Sequence, residues 1–495
     1  MIHATVKADR AFAIGRTDPR LFSSFVEHLG RAVYTGIYEP GHPSADASGF
    51  RADVIELVRD LGISHVRYPG GNFLSSYDWW DGVGPREARP TRLDLAWHSI
   101  ESNRFGWGEF AAWSKAAGTE IMGAVNLGTG TPKQAGELLE YTNFRGGTEL
   151  SDRRVAHGHR EPWNVRLWCL GNEMDGEWQL GRATAREYGA KAREAAKIMR
   201  RVDPSIELVA CGSSTALQPT FPEWDRVVLE ETYEQVDYLS LHRYYEHEGS
   251  DLDFLASFVD MDRFIGTLAA TADYVRALKR CGKRVDLSFD EWNVWYQTRQ
   301  SPHPWQEAPA LLEDEYTLLD ALVLAGLGMT LINRADRVRI ACLAQLVNVI
   351  APIRTQAGGP AIRQSIYHPF RSLSRHGRGL VLAAAVDTPT LETKYGDAPA
   401  VHTGVVLGSE GLALTVFCLN ISAEAARVEI DLRGVGSARL FEHTVLDGPQ
   451  LQAANTFARP NAVSLRRVKA SGGPATSHSL ELPPRSFHTL RFELA

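Results

Sequence analysis

Between about residues 20 and 350, short apolar runs alternate with longer stretches of helical periodicity. The runs are LFSSFVEH (21–28), HVRYPGG (65–71), EIMGAVNLG (120–128), VRLWCLGNE (165–173), ELVACGSS (207–214), VDYLSLHRYY (236–245), RVDLSFDEW (284–292) and VRIACLAQL (338–346). They are rich in β-forming residues and apolar on both alternating faces. Strands of that kind belong to parallel sheets covered on both sides. One crossover helix is legible at Ala185–Val202, where Tyr188, Ala192, Ala195 and Met199 share a face and Asp203-Pro204 stops the helix. Eight strands alternating with helices give the count of a (β/α)8 TIM barrel in the α/β class, assigned here to residues 16–376. A doubly wound sheet is the competing arrangement. No Gly-x-Gly-x-x-Gly follows the first strand, however, and the glycines of NLGTGTPK (126–133) lack the spacing of a phosphate loop.

After Gly377 the period changes from helical to two. AVHTGVVLG (400–408), GLALTVFCLN (411–420), ARVEIDLRG (426–434) and SFHTLRFEL (486–494) alternate apolar and polar positions, with turn signals such as GSEG and LPP between them. Leu412, Leu414 and Val416 are expected on one face, as are Leu490, Phe492 and Leu494. Residues 377–495 are therefore predicted to form a C-terminal antiparallel β-sandwich or jelly roll. The segment 1–15 comes too early for the barrel and is expected to add a strand to that domain.

Composition narrows the function classes. The chain has 495 residues, 44% of them hydrophobic, enough for two domains of ordinary globular character. Its 53 basic and 60 acidic residues give a net charge of −7, against the basic stripe that nucleic-acid binding needs. No apolar run approaches the roughly 18 residues of a membrane helix. The start, MIHATVKADRAFAIG, lacks the features of a secretory leader. The five cysteines (169, 211, 281, 342 and 418) are far apart, with no CxxC pair. Reduced thiols in a cytoplasmic protein are the expectation, and the sequon Asn420-Ile421-Ser422 then has no consequence.

In a (β/α)8 barrel the carboxyl ends of the strands converge on the catalytic face. Here they carry Glu27 and His28, Arg67 and Asn72, Asn126, Asn172 and Glu173, His242 and Tyr244, and Asp290 and Glu291. Asp or Asn at a strand end commonly does no more than cap the next helix, a reading that holds for Asn126 and Asp290 taken singly. It weakens for Glu173 and Glu291, because Glu is a poor cap. Two glutamates facing each other across a barrel mouth meet the requirement of glycoside hydrolysis, in which one carboxyl donates a proton and the other attacks the anomeric carbon. Arg67 is the cation available to keep one of them charged.

CLGNEMDG (169–176), SFDEWNVWY (288–296), FVEHLGRAVYTGIYEP (25–40), RYPGGNF (67–73) and ADRVRIACLAQLVNVIAPI (335–353) together resemble the α-L-arabinofuranosidases of glycoside hydrolase family 51, within the wider clan A of retaining glycosidases. The resemblance spans nearly the whole chain. It implies a retaining exo-α-L-arabinofuranosidase that trims arabinose-containing oligosaccharides, with Glu173 as acid/base and Glu291 as nucleophile. Asn172 is then expected to hydrogen-bond the sugar 2-hydroxyl. Glu27, Arg67 and Asn72 would ring the furanose, with Tyr244 close to Glu291 and Gln345 also at the sugar. A homo-hexamer is implied by the resemblance alone.

Trp97, Trp178 and Trp305 lie in loops or just beyond strand ends, where an indole can stack on sugar. Core packing is the alternative for each. The stretch Pro302–Pro309 is expected to lie over the mouth. No cofactor is implied. Metal catalysis is not expected, since the first strand offers Glu27-His28 in place of His-x-His and the run Glu173, Asp175, Glu177 lacks EF-hand order. His28 and His242 are expected to donate to carboxylates. Buried ion pairing of Glu27 with Arg67 is the structural alternative to sugar binding. Another clan A activity, such as an endo-β-glucanase or β-xylosidase, is the alternative chemistry. An inert carbohydrate-binding scaffold is disfavoured because both glutamates are present.

Overall fold

The computed structural model describes residues 1–297, 305–470 and 472–494. Eight parallel strands close a barrel. In chain order they are Ser23–Phe25, His65–Tyr68, Glu120–Val125, Leu167–Leu170, Glu207–Ala210, Tyr238–Tyr245, Asp286–Val294 and Val338–Leu343. The eighth returns to the first through the register Cys342↔Ser23. Inside the barrel, Phe25, Met122, Leu167, Cys169, Val209 and Ile340 form a packed plug, so side chains can converge only at the strand ends.

The helix Ala185–Val202 buries Tyr188, Ala192, Ala195 and Met199 as its period requires. Thr184 caps its start in a reciprocal pair with Glu187. Leu318–Asn333 is different, being buried along nearly its whole length from Leu318 to Ile332. It has a second apolar neighbour: a Cβ at Gly326 would meet both Phe258 and Leu419 of the C-terminal sheet at 3.1 Å. A helix apolar all round is the one that fits between two layers.

Beyond the helix Tyr367–His376, two sheets pack face to face. One holds four strands and the other seven, with Val405, Leu414, Val416, Leu490 and Phe492 in the apolar layer between them. The seven-stranded sheet presents its other face, with Val406, Phe417 and Phe487, to the core shared with the barrel. Its alternation therefore sorts residues between two buried layers. Leu412 does not join Leu414 and Val416 as expected; it precedes the strand Ala413–Asn420 and is 64% exposed. The first residues enter both sheets. Ile2–Asp9 pairs with Ala426–Gly434, and Ala13–Arg16 pairs with Gly379–Leu382. The Ile2–Asp9 pairing is parallel, an exception to the antiparallel expectation for this domain.

Candidate active site

Glu173 follows the fourth strand through a sharp reversal. Gly171 has φ +96° and Glu173 itself φ +45°. The left-handed region costs a non-glycine residue roughly 1–2 kcal/mol, so the surrounding contacts must hold Glu173 there. His242 Nδ1 donates to its Oε1 at 2.9 Å, and the Trp178 indole N–H donates to its Oε2 at 2.6 Å. Glu291 is held as firmly. Arg67 Nη1 donates to its Oε1 at 2.7 Å, and the Tyr244 hydroxyl donates to its Oε2 at 2.8 Å. One oxygen of each glutamate and one nitrogen of His242 all lie within 4.8 Å of one another.

Beneath this pair runs a buried network. Arg67, 1% exposed, reaches Asn172 Oδ1 at 2.5 Å with its second nitrogen, and Asn172 Nδ2 donates to Asn72 Oδ1 at 3.2 Å. Its guanidinium lies 4.7 Å above the Phe25 ring, and its Nε stands 3.9 Å from Asp290 Oδ2. Asp290 also accepts from Ser240. Burial alone would raise the Asp290 pKa, but the Arg67 charge and His242 bring it below the usual carboxylate range. Burial likewise works against a charged His242. The Glu291 charge and hydrogen bonds to Asp290 and Glu173 outweigh it and push the imidazole up to about 10.

That value bears on metal binding. Among the described residues, Glu173, His242 and Glu291 are the three ligand-type groups close enough to share an ion. The neighbouring carboxylates favour the protonated ring, and an ion bound there would have to displace that proton. The arrangement is that of a proton and hydrogen-bond network between two carboxylates.

Glu27 follows the first strand, Ser23–Phe25. Its Oε1 accepts the Phe73 backbone N–H at 2.8 Å and the Trp97 indole N–H at 2.9 Å, while Gln345 donates to Oε2 at 3.1 Å. Burial pushes its pKa up to about 8 despite these donors. The expected alternative, an ion pair between Glu27 and Arg67, does not form, since Arg67 is turned to Glu291 and Asn172. A cavity of about 740 Å³ joins Glu27, Asn72, Trp97, Glu173, Trp178, Tyr244, Glu291 and Gln345.

The family described as α-L-arabinofuranosidase C-terminal domain matches residues 290–486, and the α-L-arabinofuranosidase 1 domain matches residues 57–263. An intracellular exo-α-(1→5)-L-arabinofuranosidase of Streptomyces lividans is 52% identical over 98% of this chain and 74% of its own. The solved family 51 α-L-arabinofuranosidase of Bifidobacterium longum superposes with a TM-score of 0.96 at 44% identity, covering 100% of both chains. The chain belongs to the α-L-arabinofuranosidases of glycoside hydrolase family 51. An exo-α-(1→6)-L-arabinofuranosidase of Bifidobacterium longum is 49% identical over 97% of this chain and 95% of its own.

Not every sequence candidate lies on the cavity of this family 51 chain. Arg67 and Asn172 sit below the floor, each 1% exposed. Asn126 borders a separate cavity of about 160 Å³ and caps its own loop through the Gly130 N–H at 3.1 Å. Trp305 stacks on His98 with centroids 5.2 Å apart and is not among the cavity-lining residues; the portion 302–304 of the expected lid lies outside the described residues. Asp175 accepts from Ser214, and Glu177 pairs with Arg182, so the run from Glu173 to Glu177 points three ways and makes no cation loop. His28 bridges Glu101 at 2.8 Å and the Tyr68 hydroxyl at 2.9 Å, below Phe73.

Sequence reasoning left out three parts of the site. It treated His242 as one donor, whereas the ring touches three carboxylates. It omitted Trp295, whose ring meets Tyr244 edge-on at 4.9 Å, although its place beyond the seventh strand was a usable signal. It also omitted Lys394 and Tyr395, which line the cavity from the C-terminal region and have no signal in the barrel pattern.

Proposed function

We propose that this chain is a retaining exo-α-L-arabinofuranosidase that releases terminal arabinofuranose from arabinose-containing oligosaccharides. The observation that carries the reading is that one carboxyl oxygen of Glu173 lies within 4.8 Å of one of Glu291. Retaining enzymes hold their carboxyls about 5–5.5 Å apart, while inverting enzymes leave about 6.5–9.5 Å for a water. Glu291, with Arg67 and Tyr244 donating to it, is the charged nucleophile. It attacks the anomeric carbon as the glycosidic bond breaks and Glu173 protonates the departing oxygen. Water then attacks the arabinosyl-enzyme, Glu173 takes its proton, and Glu291 is released. Both Glu173 oxygens accept hydrogen bonds, so to act as acid its Oε2 must exchange the Trp178 N–H for the glycosidic oxygen. Trp178 is 53% exposed and has room to yield.

Glu27, Asn72, Gln345 and Tyr244 are proposed to bind the furanose. Arg67 and Asn172 set the charge and position of Glu291 from below, and Asn172 reaches the sugar 2-hydroxyl only if it releases a partner. Trp97, Trp178 and Trp305 are aromatic candidates for the outer rings. The family assignment disfavours the glucanase and xylosidase alternatives. It does not fix linkage, since relatives 52% and 49% identical carry (1→5) and (1→6) names. Residues 16–376 are taken as the catalytic domain and 377–495, joined by 1–15, as a jelly roll. A cytoplasmic location is supported by relatives named intracellular and by five free cysteines, and a homo-hexamer by family resemblance. Product configuration decides the mechanism. Proton NMR of arabinofuranoside hydrolysis should show the α anomer first; β first, or turnover only of pyranosides in a nitrophenyl panel, rejects it.

A further inference from the structure

Two short strands, Thr390–Thr393 and Gly396–Pro399, pair antiparallel with Thr393 opposite Gly396. They stand apart from both sheets of the sandwich, and Lys394 and Tyr395 form the two-residue tip. Gly396, at φ +96°, closes the turn with a backbone few other residues adopt. Leu391 packs onto the core that the barrel shares with the seven-stranded sheet, so the hairpin is anchored there. The tip is held by contacts to the segment after the sixth strand. The Lys394 backbone N–H donates to Asp253 Oδ1 at 2.8 Å, its ammonium meets Glu248 Oε2 at 2.8 Å, and Arg263 donates to the Tyr395 carbonyl at 2.7 Å. The Lys394 ammonium also lies 5.1 Å from the Tyr395 ring centroid. Both side chains line the cavity that contains Glu173 and Glu291.

The direction of the chemistry gives this wall its meaning. An acid must face the departing oxygen, so the leaving group lies on the Glu173 side. That side is built by Trp178 after the fourth strand, Thr215 and Leu217 after the fifth, Glu248 after the sixth, and then the hairpin tip. The cavity, about 740 Å³, falls in the range that holds drug-sized ligands and leaves ample space beyond one five-carbon sugar. Lys394 is paired with Glu248, so the tip offers an aromatic face and hydrogen-bonding groups without unbalanced charge. Such a surface suits a neutral sugar better than a uronic acid.

We propose that the Lys394–Tyr395 tip forms a distal leaving-group subsite, where Tyr395 contacts the second sugar of a neutral oligosaccharide leaving group. This rests on the arabinofuranosidase reading and makes a hairpin of the C-terminal domain a determinant of chain-length preference. Tyr395 is a specificity residue here; it lies off the reacting atoms.

The test compares kcat/KM for an arabinotriose of whichever linkage the wild type cleaves with kcat/KM for 4-nitrophenyl α-L-arabinofuranoside, whose leaving group ends before the subsite. In Tyr395→Ala the ratio of triose to aryl substrate should fall about tenfold, the scale of one lost ring contact. Tyr395→Phe keeps the ring and should hold the ratio within about twofold. A hairpin that only braces the barrel would move both substrates together. A ratio in Tyr395→Ala within about twofold of wild type, whether both rates fall or neither does, overturns the proposal. Failure of the wild type on both substrates would instead reject the activity on which it rests.

Discussion

His242 donates through Nδ1 to Glu173 across 2.9 Å. The same nitrogen stands 3.6 Å from Glu291, and Nε2 stands 3.3 Å from Asp290. A buried ring among three carboxylates is held as a cation, and its pKa rises from 6.5 to about 10. A raised folded-state value stabilises the protein fully below about pH 6.5, and that stabilisation is lost as pH climbs through about 10. Thermal melts of wild type and His242→Asn across pH 6–10.5 should therefore converge as the pH rises, the wild type losing its advantage. Parallel curves would show that the ring is neutral throughout.

The two glutamates should separate in kinetics. Glu291→Ala should abolish turnover of every substrate, because no covalent intermediate can form. Glu173→Ala should lose about 10²–10⁴-fold on oligosaccharides, which need the proton, and much less on aryl substrates with good leaving groups. Added azide should restore the Glu173→Ala rate and give a glycosyl azide of the substrate's own configuration. Equal inactivity with no azide product would reverse or void the assignment.

Much of this was legible beforehand, for physical reasons that can be named. A closed parallel barrel demands strands apolar on both faces, and its topology places their ends together, so Glu27, Arg67, Glu173, Tyr244 and Glu291 could be grouped from position alone. Partner choice was not readable. Nothing in the spacing of Arg67 says that it takes Glu291 and Asn172 and leaves Glu27 to Phe73, Trp97 and Gln345. Leu412 was misplaced because period two continues into a turn where the sheet has already ended. Leu318–Asn333 gave no face because it has two. Contacts across domains, such as Lys394 with Glu248, bring together residues 146 apart and leave no local trace.

Arg67 should be the least replaceable residue beneath the floor. Arg67→Ala leaves Asp290 and Glu291 with His242 as their one nearby cation and takes the Arg67 donor from Asn172 Oδ1, in a buried place. Breaking a buried charge pair costs about 3–5 kcal/mol. Denaturant unfolding should show a loss of that order, together with collapse of kcat. Arg67→Lys keeps the charge but cannot reach Glu291 and Asn172 with separate nitrogens, and should recover stability better than activity. A fully active Arg67→Lys enzyme would show that the fork geometry is unimportant.

Gly71 lies against both Glu27 and Glu291. A Cβ placed there would lie 3.1 Å from Glu27 Oε2, 3.2 Å from Phe25 Cζ and 3.3 Å from Glu291 Oε1. None of these is an outright clash, so Gly71→Ala should fold. The side chains that must give way are Glu27, Phe25 and Glu291. A 1 Å misplacement of reacting groups can cost about 10²-fold, so a shift of a few tenths of an ångström should lower kcat/KM by about tenfold. Loss of stability in proportion to activity would mean that the glycine serves the backbone. Loss of activity alone would mean that it keeps space between the carboxylates, where the sugar has to sit.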